Sequence, residues 1–180
     1  MKTERIYSLG YGLLAGLLLI GSTRALAVDN NLHFYGNLIS RSCTLVVESG
    51  NLAEVHFPTI SRRDLMAAGE SAHVPVVFKL KDCKGPASYQ VQVTLTGTED
   101  SEQPGFLALD TTSTAQGVGI GMETTDGVRV AINDPTGAKF TLSDGSNDIN
   151  FRAWLQAKSG REVTMGDFTA NLTATFEYII

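Results

Sequence analysis

From Val74 onward, apolar residues recur at every second position, the period of strands that bury one face. Val74, Val76, Phe78 and Leu80 alternate with His73, Pro75, Val77 and Lys79. Val91, Val93 and Leu95 alternate with Gln90, Gln92 and Thr94, and Val118, Ile120 and Met122 alternate with glycines. Val128, Val130 and Ile132 follow after Asp126-Gly127, and an Asp-Gly between two alternating runs predicts a hairpin. Ile149, Phe151, Ala153 and Leu155 give another strand, which puts Trp154 on its opposite face as a surface or interface aromatic. Turn residues cluster at Asp134 to Gly137 and at Ser143 to Asp148. One short helix is predicted, capped by Ser61, running through Asp64, Leu65, Met66 and Ala67 and closed by Gly69. Many short strands with almost no helix imply an all-β antiparallel sandwich.

The two ends of the chain complete this picture in opposite ways. Phe168, Ala170, Leu172, Ala174, Phe176, Tyr178 and Ile180 occupy alternate positions of a final strand that is apolar along one whole face. A long apolar strand with nothing to pair at its far edge is a hazard that something normally covers. Near the start, Asn30, Leu32, Phe34, Gly36 and Leu38 alternate with Asn31, His33, Tyr35 and Asn37. Two readings of this segment stand side by side. It is the first strand of its own sandwich, or it is a strand for another molecule's open edge.

The first 27 residues change the compartment. Lys2 and Arg5 precede an apolar run from Leu9 to Gly21, and Ala25-Leu26-Ala27 offers small residues for cleavage. This is the form of an export signal, and the run is short for a bilayer core of ~30 Å. Without Lys2, Arg5, Arg24 and Glu4 the formal net charge moves from −5 to −7. That acidic balance, with no basic stripe, argues against nucleic acid as a partner. No later stretch is apolar for long enough to predict a membrane span in the mature protein. Outside the cytoplasm, the pair Cys43 and Cys83 reads as a disulfide. Closing a loop of about 40 residues is worth ~4 kcal/mol in the chain-entropy model.

Taken in order, these segments resemble subunits of chaperone–usher pili, in particular those of P and type 1 pili. The resemblance rests on Val28-Asp29-Asn30-Asn31-Leu32-His33-Phe34-Tyr35-Gly36-Asn37-Leu38-Ile39 followed by Ser42-Cys43-Thr44-Leu45. It continues through Phe78-Lys79-Leu80-Lys81-Asp82-Cys83, Gly117-Val118-Gly119-Ile120 and Asn150-Phe151-Arg152-Ala153, and ends in the alternating strand with Tyr178. It implies a signal peptide over residues 1–27, a donor-strand extension over 28–40 and a pilin domain over 41–180. The implied fold is an incomplete immunoglobulin-like sandwich of six strands, the seventh supplied in trans. The implied partners are neighbouring pilus subunits, a periplasmic chaperone and an outer-membrane usher, on a route through the periplasm to a surface fimbrium. The resemblance assigns Leu32, Phe34 and Leu38 as donated side chains, Asn30 to the outer end, and Gly36 to a shallow part of the groove. It assigns Phe168, Ala170, Leu172, Ala174, Phe176 and Tyr178 to the acceptor groove, and the carboxylate of Ile180 to chaperone anchoring. Many such subunits carry the aromatic next to last, whereas here two isoleucines follow Tyr178. Only 15 residues separate Val28 from Cys43, a short extension that favours a minor tip or adaptor subunit.

Signs of chemistry are sparse. His33, His56 and His73 lack ligand partners at i, i+4 spacing, so they read as surface or strand histidines rather than a metal site. Gly117-Val118-Gly119-Ile120-Gly121 lacks the third glycine of a dinucleotide loop and reads as strand packing. The oxygen-rich run from Asp144 to Asp148 does not fit a calcium loop. No catalytic cluster and no cofactor motif emerges, so an enzyme is not expected. The alternative to a polymerising subunit is a self-contained secreted β-sandwich that binds carbohydrate.

Overall fold

A computed structural model describes residues 43–46, 54–85 and 89–179. The signal segment, the extension with Asn30, Leu32, Phe34, Gly36 and Leu38, and the terminal Ile180 lie outside these residues.

The described chain forms seven strands and one helix. They are β1 (Thr44–Val46), α1 (Arg62–Ala68), β2 (Val74–Cys83), β3 (Gln90–Gly97), β4 (Val118–Thr124), β5 (Ala138–Thr141), β6 (Gly145–Ala157) and β7 (Leu172–Ile179). One antiparallel sheet runs β1-β2-β6-β4 and the other β5-β3-β7. The count exceeds the expected six because short segments qualify: β1 has three residues and β5 has four.

Alternation decides which face each strand buries. Val91, Val93 and Leu95 on β3 are 0% exposed, and they face Val76, Leu80, Ile120, Met122, Ile149 and Phe151 in one shared core. Full burial of such a side chain is worth about 1.5–3 kcal/mol. The disulfide Cys43–Cys83 forms, with an S–S distance of 2.09 Å, and ties the start of β1 to the end of β2. Helix α1 follows its local signals. The Ser61 hydroxyl accepts the Asp64 N–H at 3.4 Å, and Gly69 at φ 83° donates to the Leu65 carbonyl. A positive φ at the helix end is the position that glycine fills without a Cβ penalty.

Three expectations need correction. The Asp126-Gly127 turn forms, with Gly127 N–H donating to Thr124 at 3.0 Å, but Val128 to Ile132 do not make a strand. After Val130 bonds Met122, Ile132 N–H turns to Gly105 and Asn133 N–H to Leu95, so the arm crosses from one sheet to the other. The last strand begins at Leu172 rather than Phe168, because Thr169 is already hydrogen-bonded to Asp110 and Ser113. Trp154 is on the predicted face of β6 but is only 6% exposed.

Candidate functional site

The candidate site lies where two sheet edges meet with no strand between them among the described residues. Among the described residues β7 pairs with β3 alone, and β1 pairs with β2 alone. The register of β7 on β3 sets Tyr178 opposite Val91, Phe176 opposite Val93, Ala174 opposite Leu95 and Leu172 opposite Gly97. Cross-strand partners share a face, so this apolar row points into the sandwich. Yet the β3 members are fully buried while Leu172, Ala174, Phe176 and Tyr178 stay half-buried. On the other rail, Leu45 is paired with the buried Leu80 and remains 42% exposed. An inward-facing leucine or phenylalanine that stays half-exposed marks a layer that the described residues leave unfilled.

Aromatic rings shape the floor of this channel. Phe176 meets Phe78 edge to face at 5.4 Å, and Phe78 meets the buried Phe151 at 6.1 Å. Phe168 and Ala170, which precede β7, pack on the same core, and Phe168 lies edge-on to Phe57 at 5.6 Å. The structure therefore brings together Phe168, Ala170, Leu172, Ala174, Phe176 and Tyr178 along one margin of the core. Beside the disulfide, the Tyr178 hydroxyl accepts the Cys43 N–H at 2.9 Å, and the Tyr89 hydroxyl lies 4.0 Å from the Cys43 sulfur. Burial pushes the Tyr89 hydroxyl above its usual pKa of 10.0, and the nearby Asp144 and Tyr178 add to this. The inward positions of β7 carry no charge, and its Glu177 alternates to the other side. Such a channel suits an extended apolar segment that brings its own backbone hydrogen bonds.

Sequence reading missed a second cluster, on the outer face of the four-stranded sheet. Trp154 is stacked on His73 at 4.8 Å and meets Phe106 edge-on at 6.0 Å. The Arg129 guanidinium sits 4.0 Å from the centre of the Phe106 ring. His73 Nδ1 is 2.8 Å from Glu123, which also receives Arg152 at 2.7 Å. The signal for this cluster was present as Gly121, directly opposite Trp154 on β4. A Cβ there would come within 2.4 Å of the indole. The glycines of that segment are thus packing glycines. Among the described residues no His, Cys, Asp and Glu side chains group in a way that could hold a metal ion.

Comparison with known proteins follows the same line. The family model described as Fimbrial protein matches residues 32–179. The chain is 72% identical over 179 residues to the fimbrial-like protein YfcP of Escherichia coli (strain K12), covering 99% of this chain and 100% of that one. It is 29% identical over 181 residues to the major MR/P fimbria protein of Proteus mirabilis (strain HI4320), covering 98% and 97% of the two chains. The P pilus rod subunit PapA has a like fold, with a TM-score of 0.64 at 23% identity over 76% of this chain and 99% of that one. The chain belongs to the fimbrial protein family, a family of structural subunits rather than enzymes.

Proposed function

We propose that the channel between β1 and β7 accepts an extended strand from a neighbouring pilus subunit, and that residues 28–40 supply the strand this chain donates in turn. The single observation that carries the reading is the exposure contrast across one register: 0% at Val91, Val93 and Leu95 against half-buried partners on β7. On the donor side Leu32, Phe34 and Leu38 enter the neighbour, Asn30 lies at the outer end, and Gly36 passes over the shallow part of the groove. Burying three such side chains contributes ~1.5–3 kcal/mol each, and the backbone ladder adds about 1 kcal/mol per hydrogen bond.

Before assembly the same channel is a long apolar edge and requires cover. A periplasmic chaperone supplies it, anchoring the carboxylate of Ile180, and hands the subunit to an outer-membrane usher. The destination is a surface fimbrium. The short stretch from Val28 to Cys43 favours a minor tip or adaptor position. One relative is named as a major subunit, so that position rests on the extension alone.

The experiment compares residues 28–180 with a chain beginning at Ser40, each with and without a peptide copying residues 28–39, by size-exclusion with mass detection. The shortened chain should aggregate alone and become a stable monomer with the peptide. A shortened chain that is monomeric and indifferent to peptide would mean a complete sandwich, as in a self-contained binding module.

A further inference from the structure

We infer that Tyr178 is the end stop of the acceptor channel and fixes how far toward the disulfide an inserted strand can pair. This rests on the strand-acceptor reading and adds a specificity-determining residue to it. The Tyr178 ring belongs to the apolar row of β7, but its hydroxyl crosses to the other rail and accepts the Cys43 N–H at 2.9 Å. Backbone N–H groups alternate sides along a strand. The donor that Tyr178 occupies therefore lies on the open side of the chain just before β1, and Leu45 N–H is the next on that side.

The bridge has two consequences for an incoming strand. It closes the channel at one end with a side chain held on both sheets, one residue before β1 begins. It also removes one backbone donor from the ladder an occupant could form. A strand that ran past Tyr178 would have to replace that bond, since a donor left unpaired in a buried site costs its full desolvation. An occupant that stops short of it keeps the bond and pairs with Leu45. The disulfide supports the stop from behind, because Cys43 is pinned to Cys83 on β2 and cannot drift with the inserted strand. The occupant is the residue 28–39 segment of a second subunit, whose alternating Leu32, Phe34 and Leu38 match the apolar row.

The test uses the mature chain, residues 28–180, and its Tyr178→Phe variant at a concentration where both are monomeric. The probes are a peptide copying residues 28–39 and forms of it lengthened by two residues at either end. Amide exchange read by NMR reports which N–H groups the peptide protects. For the natural chain the short and long peptides should bind alike, with Leu45 newly protected and the Cys43 amide unchanged. For Tyr178→Phe, which keeps the ring, one lengthened peptide should gain roughly fivefold in affinity and take over the Cys43 amide. Equal length-dependence in the two proteins would overturn the end-stop role. A Cys43 amide that changes partner when the natural chain binds would also overturn it, without recourse to the variant. Failure of every peptide to bind would instead sink the acceptor reading beneath it.

Discussion

The two exposed surfaces of this sandwich treat their aromatic residues in opposite ways. On the outer face of the four-stranded sheet, Trp154 is covered by His73, Phe106 and the bare backbone at Gly121, and is left 6% exposed. At the β1–β7 margin, Phe176 and Tyr178 face the core directly and are still only half-buried. A chain that can seal an outward-facing tryptophan with its own loops has the means to seal an inward-facing phenylalanine. On the proposed reading, the open margin is the place where packing is completed from outside.

The largest effect that would break this contrast is on the sealed side. Trp154→Ala should cost about 3–5 kcal/mol, the range for removing a buried large aromatic, measured by urea unfolding. Binding of a residue 28–39 peptide by the remaining folded fraction should be unchanged, because the cluster is on the other face. A loss of peptide affinity equal to that at the channel would show that the two regions are not independent.

Phe176→Ala should show the reverse balance. Its ring is half-buried, so the free subunit should lose about 2 kcal/mol, roughly half the cost at a closed site. Peptide affinity should fall by roughly tenfold or more, because the ring is buried fully only when the channel is occupied. Equal effects on free and filled forms would place Phe176 in a closed core.

The smallest effect belongs to the ion pairs that hold the segment after β6. Arg161 donates to Glu102, and Lys158 reaches Asp100 at 2.6 Å. The Arg161 hydrogen bond holds the Glu102 carboxyl below its usual pKa of 4.5. A depressed carboxylate contributes stability above its unfolded pKa and loses it as pH falls through the folded value. Glu102→Gln should therefore lower the melting temperature slightly at neutral pH and not at all in strong acid. Since both partners are well exposed, added salt should shrink the difference.

What the sequence made legible was local or periodic. Ser61 and Gly69 bracket α1 because their signals act within one turn of helix. The interiors of β2, β3 and β6 follow the period-two pattern because their inward faces are buried, and β7 follows it with its inward face half-buried. Parity placed Trp154 on the correct face of β6, but its cover comes from Phe106 and His73, distant in sequence. The arm after Gly127 was misread for the same reason: Gly105 and Leu95, not β4, take the hydrogen bonds of Ile132 and Asn133. Phe168 and Ala170 continue the alternation of β7 while the backbone of Thr169 between them serves a neighbouring loop. The channel was legible as an apolar row, whereas the Tyr178–Cys43 bridge was not, because it joins residues 135 apart.

The most direct test of the central claim is amide hydrogen exchange along β7 in the monomeric mature chain, with and without the residue 28–39 peptide. The account predicts fast exchange at alternate amides of Leu172–Ile179 in the free chain, slow exchange at those bonded to β3, and protection of the fast set by roughly a hundredfold or more on binding. A strand already protected at every amide without peptide, and unchanged by it, would contradict the account.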